Sequence, residues 1–189
     1  MIKIKILSQE FIKTETDLAV VTFFKDMIPL KGDAGIIDWL LNGQISNLIK
    51  QKKISGAFRE KALLPSQNKI SSDKILLLGM GKSTNFSTSK ISLIYSHLIT
   101  VILKLNICDF GMDICIKNIS DLDYARIVED IIDGMLKGFS RLLKDSKDFV
   151  IKIVENDGGR IDILNNAVKY SVERFMKKGK KLEISMDFG

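Results

Sequence analysis

Histidine occurs once in the 189 residues, tryptophan once, and cysteine and proline twice each. Each scarcity removes a class of chemistry. The lone histidine, His97, falls mid-helix beside Ser96 and Thr100, and there is no Gly-x-Ser-x-Gly elbow to bring it a nucleophile. It reads as a histidine at the edge of a polar helix face, not as a catalytic base. Cys108 and Cys115 lie seven residues apart in an apolar stretch, with no Cys-x-x-Cys pair and no surrounding Cys/His cluster. That pattern predicts buried free thiols in a reducing compartment. Metal binding would have to rest on carboxylates alone. Glu129 and Asp133, four residues apart on one helix, could share a metal, though most such pairs are simply solvated.

A long apolar run is also missing. The most apolar window, Ile91–Leu105, is broken by Ser92, Ser96, His97, Thr100 and Lys104, so it is too short and too polar to span a bilayer. The opening Met-Ile-Lys-Ile-Lys-Ile-Leu alternates as a strand does and lacks the unbroken apolar core of a signal peptide. These absences predict a cytoplasmic protein with no membrane partner and no cofactor. No repeat, low-complexity tract or linker is visible, and one domain over residues 1–189 is expected.

What is present is a core-forming composition: 46% of the residues are hydrophobic. The net charge is +6, and the segment Lys137–Lys181 carries all of it, with twelve Lys and Arg against six Asp and Glu. A basic C-terminal third could face nucleic acid or an acidic partner. Without interleaved aromatics or a recognised nucleic-acid module, a lysine-rich solvated surface is the preferred reading.

Strand and helix patterns alternate along the chain. Ile2, Ile4 and Ile6 alternate with Lys3 and Lys5, as in a half-exposed strand, and Asp17–Phe24 is apolar after its Asp, as in a central one. Ile36, Ile37, Leu40, Leu41, Ile45, Leu48 and Ile49 keep a helical period that predicts one helix from Ile36 to Lys50, with Trp39 on or beside its apolar face. Short strands are expected at Lys61–Pro65, Ile75–Leu78, Phe110–Ile116, Phe149–Val154 and Leu182–Met186. Helices are expected over Ser87–Leu105, from Ser120 or Asp121 through Leu143, and over Ile161–Lys178. The alternation predicts an α/β protein, a three-layer α/β/α domain around a mixed, largely parallel sheet.

The stretch Lys74–Lys90 carries the clearest candidate site. An apolar strand runs into Gly79-Met80-Gly81-Lys82-Ser83, and a helix follows, so backbone N–H groups could gather at the carboxyl end of a buried strand. A Gly-x-x-x-x-Gly-Lys-Ser phosphate loop needs glycine at position 76, which is Leu76, and a dinucleotide fingerprint from Gly79 needs glycine at position 84, which is Thr84. Both motifs fail. The preferred reading is that the two glycines allow a tight exit from the strand. A ligand site built here would draw on Asp17, Gly32, Gly35, Gly79, Gly81, Lys82 and Ser83.

A set of ordered short motifs points to a family. They are the Asp17 strand, Pro29-Leu30 with Gly32 and Ala34, Asp38 followed by Ile45-Ser46 and Leu48-Ile49, Leu63-Leu64-Pro65, and Ile75-Leu76-Leu77-Leu78-Gly79-Met80-Gly81-Lys82. Through these, the region from about Asp17 to Gly138 resembles the N-terminal domain of leucyl aminopeptidases. The resemblance implies a macro-domain-like fold. In that family the peptidase activity belongs to a separate two-metal domain marked by Asn-Thr-Asp-Ala-Glu-Gly-Arg-Leu. Asn156-Asp157-Gly158-Gly159-Arg160-Ile161 echoes that signature only faintly and lacks its Glu. Macro domains bind ADP-ribose, and their central strand reads Asp-Ala-Ile-Val-Asn-Ala-Ala-Asn. The matching stretch, Asp17–Phe24, keeps the Asp but has phenylalanine in place of the asparagine that would touch the distal ribose. Their glycine-rich loop shrinks to Gly32-Asp33-Ala34-Gly35, and no Gly-x-Gly loop lies between Ile116 and Tyr124.

The expectation is therefore a non-catalytic, stand-alone homologue of that N-terminal domain, acting in regulation, assembly or protein interaction through a partner or by self-association. Two alternatives stand beside it: a module for a nucleotide or other small anion, and a nucleic-acid-associated protein using its basic third.

Overall fold

Seven strands form one sheet in the order β3-β4-β2-β5-β6-β1-β7. The structure is a computed structural model and describes residues 1–85, 87–114, 121–143, 147–179 and 182–188. Along the chain the elements are β1 (Ile2–Leu7), a 3-10 turn (Phe11–Lys13), β2 (Thr16–Phe23), α1 (Gly32–Leu40), α2 (Gln44–Lys50), β3 (Lys61–Pro65), β4 (Ser72–Gly79) and α3 (Thr88–Lys104). Then come β5 (Asp109–Asp113), α4 (Asp121–Leu142), β6 (Phe149–Val154), α5 (Gly158–Lys177) and β7 (Ile184–Phe188). Every neighbouring pair is parallel except β3 with β4. The expected mixed, largely parallel α/β sheet is what forms.

The period of two along the strands assigns the faces. Leu18 and Val20 of β2, Leu76 and Leu78 of β4, and Ile2, Ile4 and Ile6 of β1 point to one side, where α3, α4 and α5 cover them. Ala19, Val21, Phe23, Ile75 and Leu77 point to the other, where Ala34, Ile37 and Leu41 of the α1 region and Ile45 of α2 meet them. β2 and β4 thus have apolar residues on both faces, as central strands must. On β1 and β6 the other face is mixed: Lys3, Lys5, Val150 and Lys152 are partly exposed there, while Leu7 and Val154 at the strand ends reach the second core. The second helical layer therefore covers the β4–β2 half of the sheet.

The helical layer on the first face depends on two glycines. A Cβ at Gly134 would lie 2.4 Å from the carbonyl oxygen of Ser92, and one at Gly138 would lie 2.8 Å from Cβ of Ile99. One turn apart on α4, they let α4 approach the backbone of α3. Across the other flank of α4, Arg174 of α5 reaches Glu129 at 3.2 Å and Asp133 at 2.8 Å. The two carboxylates that could have shared a metal share a guanidinium instead. Burial, together with those two acidic neighbours, raises the pKa of Asp130 beside them.

Three sequence expectations change. The helix expected over Ile36–Lys50 is two helices, because Asn42 and Gly43 take left-handed backbone angles of +53° and +76°. The carboxylate of Asp38 then accepts from the N–H of Ser46 at 3.0 Å, and from its hydroxyl, capping the second helix from within the first. Trp39 does not join the apolar face; it is 77% exposed. The strand expected over Phe110–Ile116 spans Asp109–Asp113, and residues 115–120, including Cys115, lie outside the described residues. Cys108 is free and half-buried. Among the described residues no helix is long and apolar enough to cross a membrane.

Gly134→Ala is expected to destabilise the fold by about 1–3 kcal/mol, because overpacking outweighs the gain in helix propensity. Gly158→Ala, at the open start of α5 where a Cβ meets nothing within 4 Å, should be neutral or slightly stabilising. Urea unfolding of both variants checks the contrast.

Candidate functional site

Open parallel sheets bind ligands at the carboxyl ends of strands where the chain leaves to opposite faces. Here that point is the end of β2. β2 leads to α1 on one face, while its neighbours β4 and β5 lead to α3 and α4 on the other. The described residues at this edge are 24–31 after β2, 80–85 and 87 after β4, and Ile114 after β5.

The Gly79–Ser83 turn lies at this edge, but four of its five N–H groups are already used. The N–H of Gly79 donates to the Glu60 carbonyl at 2.8 Å, that of Met80 to Phe23 at 2.9 Å, and that of Gly81 to Gly56 at 2.9 Å. The Gly81 carbonyl accepts from the Lys25 N–H at 2.8 Å. Ser83 donates its N–H to Asp26 Oδ1 at 2.8 Å and its hydroxyl to Asp26 Oδ2 at 3.0 Å. A carboxylate of the chain itself thus sits where an outside anion would. The Ser83 N–H, and after it the Ser83 hydroxyl, hold the pKa of Asp26 below its ordinary value against desolvation, which opposes them. Lys82 is exposed at the tip.

The glycines are explained by the loop 55–60. A Cβ at Gly79 would lie 2.2 Å from the Ala57 carbonyl oxygen, so only glycine lets this loop cross the end of β4. Gly81, at φ +79°, would bring a Cβ within 3.3 Å of Phe58. Glu60 pins the loop by accepting from the Ser55 N–H at 2.8 Å, the Ser55 hydroxyl at 3.1 Å and the Ala57 N–H at 3.0 Å. Burial opposes ionisation of Glu60, but these donors more than offset it and the net shift is downward. Arg59 in the same loop lies 2.9 Å from Nδ1 of His97. Desolvation, and then the charges of Arg59, Lys61 and Arg141, lower the pKa of His97.

The other candidate residues lie elsewhere. Asp17 is the second residue of β2, whereas Gly79 pairs with Phe23 at that strand's far end. Six residues of strand separate the two ends, about 20 Å at the usual rise. Asp17 therefore does not face the glycine turn. Gly32 starts α1 with φ +59°, and a Cβ at Gly35 would press on the Leu30 carbonyl oxygen at 2.7 Å. Gly35 lines a groove of about 470 Å³ with Pro29, Leu30, Asp38, Trp39 and Asn42. The seven candidates thus fall in three places.

Two features of this edge were not read from the sequence. One is a crevice of about 20 Å³ between the ends of β5 and β6, lined by Asp33, Asp113 and Glu155 among others and by no base. Such a volume holds about one water. The Tyr124 hydroxyl donates to Glu155 at 2.6 Å, and burial followed by this contact raises the tyrosine's pKa. The other is Asp26, whose role depends on a contact across 57 residues of chain and leaves no local signal. Among the described residues no group of three or more His, Cys, Asp or Glu could hold a metal ion.

The comparisons with known proteins agree with this architecture. The model of the cytosol aminopeptidase family, N-terminal domain, matches residues 20–141. The chain belongs to that family. A probable cytosol aminopeptidase of Sulfurihydrogenibium sp. (strain YO3AOP1) is 23% identical over 189 residues, which cover 98% of this chain and 36% of the relative. The chain spans about a third of the length of the curated relatives it matches. A tomato leucine aminopeptidase variant superposes with TM-score 0.64 at 16% identity, covering 91% of this chain and 35% of that one. The Oceanobacillus iheyensis macrodomain solved with ADP superposes with TM-score 0.62 at 13% identity, covering 89% and 91%. At these identities the two structures show the fold, which is macrodomain-like.

Asp26 and Glu60 both titrate below their ordinary values of 3.8 and 4.5. Stability from a carboxyl lowered in this way is full above its unfolded pKa and is lost as pH falls through the folded one. The contribution of these two carboxyls to the urea midpoint should therefore be full above about pH 5 and be lost below it, while the lowered His97 costs stability from about pH 6.5 downward. Glu60→Gln should lower stability at pH 7 by on the order of 1 kcal/mol and flatten the acid limb.

Proposed function

We propose that this chain is a non-catalytic protein-interaction or assembly module built on the N-terminal domain of the cytosol aminopeptidase family. The observation that carries this reading is an apolar surface around α1. Trp39 is 77% exposed, Ile28 58%, Ile36 45% and Met27 39%, beside the groove lined by Pro29 and Leu30. Tryptophan is enriched among the residues that dominate protein interfaces, and Ile36 and Trp39 lie three residues apart on one face of α1.

Three observations support the reading from the other side. The turn that resembles a phosphate cradle gives four of its five N–H groups to the chain itself and holds a carboxylate. The crevice between β5 and β6 is narrow and acidic, where a diphosphate would need donors and positive charge. Of the basic third, Lys152 is paired with Asp109 at 2.7 Å, and Arg174 with Glu129 and Asp133. Those bases are not available to nucleic acid.

Full-length protein assayed on leucine amide with manganese or zinc is expected to show no turnover above background. Calorimetry with ADP-ribose, ATP and NAD is expected to stay silent up to millimolar ligand. Robust turnover would overturn the non-catalytic reading, and binding of any of the three would favour a small-anion module instead.

A further inference from the structure

We infer that Arg59, Lys61, His97 and Arg141 form a binding site for an oxyanion, a phosphate or carboxylate group, beside α3. Four parts of the fold deliver these side chains. Arg59 lies in the loop before β3, and its guanidinium Nη2 stands 2.9 Å from Nδ1 of His97 on α3. Lys61 pairs with Leu78 across β3 and β4, so it points to the same side as Leu78, the side that α3 covers. Arg141 follows Gly134 and Gly138 on one stripe of α4, and a Cβ at Gly138 would lie 3.0 Å from the Ser96 carbonyl oxygen, so that stripe runs along α3. Arg59 and His97 are half-buried, and Lys61 and Arg141 are exposed. The site lies on the opposite face of the sheet from α1 and does not rest on the interaction-module reading.

Among the described residues these bases have no acid to meet. None of Arg59, Lys61 and Arg141 takes part in an ion pair, whereas Lys3, Lys152 and Arg174 each reach a carboxylate. Neither α3 nor β3 contains Asp or Glu, and α4 has none after Asp133. The residues one turn either side of His97, which are Leu93, Ile94, Thr100 and Val101, are uncharged. Glu60, next to Arg59, turns its carboxylate to the donors of Ser55 and Ala57. A guanidinium only donates, so His97 accepts from Arg59 as a neutral imidazole. Desolvation, and then the charges of Arg59, Lys61 and Arg141, lower its pKa. Nε of Arg59 is buried without a partner. An oxyanion supplies what this group lacks. It would accept charge-assisted hydrogen bonds from the guanidinium, and from His97 once protonated, and offset the repulsion among the cations.

His97 is the chain's one histidine, so its imidazole Cε1–H gives an unshared proton NMR signal in untagged protein. The experiment follows that signal against pH in chloride and, at equal ionic strength, in inorganic phosphate or in acetate. The midpoint is expected below the ordinary 6.5 in chloride. Phosphate should raise it by at least about half a pH unit, because a bound anion favours the imidazolium. The rise should saturate, with half of it reached at roughly 10 mM, since partly exposed charges bind weakly. Arg59→Gln should raise the midpoint in chloride, by removing a neighbouring charge, and abolish the further rise with phosphate. Arg141→Gln, which leaves the Arg59–His97 contact in place, should weaken phosphate binding about threefold. Circular dichroism checks that both variants fold. A larger response to phosphate than to acetate identifies a phosphoryl ligand, an equal one a carboxylate, and either supports the site. A wild-type midpoint that is the same in all three salts overturns the inference. So does a phosphate response that persists in Arg59→Gln. The interaction-module reading falls separately, on turnover or nucleotide binding in the assays above.

Discussion

The carbonyl of Ala57 presses on the α-carbon of Gly79 so closely that a methyl group there would sit 2.2 Å away. Much of the candidate site follows from this contact. It brings the loop 55–60 across the end of the central strand β4, within reach of the N–H groups of Gly79 and Gly81. It also delivers Arg59 to His97, which joins the loop to α3. The price of replacing Gly79 is thus not local strain alone: a larger residue would lift the loop and expose the N–H groups it now occupies. Glycines at a strand exit can admit a ligand or a neighbouring loop. In this protein they admit the loop.

The fold was legible because it is written in short-range patterns. Ile2, Ile4 and Ile6 alternate with lysines and form a strand with one buried face; the apolar run after Asp17 has neither face polar and becomes a central strand. Phe149–Val154 was placed to the residue. The break between α1 and α2 was hidden because the apolar period of Ile37, Leu41 and Ile45 runs straight across it. Only the left-handed backbone at Asn42 and Gly43 stops the first helix, and Gly43 is a weak sign in a segment that otherwise reads as continuous. Gly134 and Gly138 were written in the sequence as a Gly-x-x-x-Gly spacing. Their role depends on which helix lies opposite, and spacing does not say that.

The site was legible only in part, for a related reason. The turn at Gly79–Ser83 could be located, since strand, glycines and helix are local. Its emptiness or occupancy could not, because Asp26 and Glu60 fill it from distant loops. Asp17 was drawn to the turn by likeness to a motif, yet strand direction places it at the opposite end of β2. Glu129 and Asp133 had the spacing of a ligand pair, and a single arginine from α5 settles their charge. In each case the sequence shows which groups exist, and the packing of distant elements decides which of them meet.

Adjacent positions on α1 show where the fold ends as an explanation. Ile37 is buried in the second core, and Asp38 turns inward to cap α2 through Ser46. Both are required by the domain itself. Trp39 comes next, about 100° further around the helix, and packs into neither core cluster. A polar residue at that position would serve the two helices and the sheet equally well. Ile36, one turn earlier on the same helix face, is also exposed, as is Ile28 in the loop before α1. The carboxyl edge of the sheet presents the opposite case, with the donors of its glycine turn matched inside the protein. The contrast between the two places is physical: the donors of the turn are largely met within the chain, while the Trp39 side chain on α1 joins neither core.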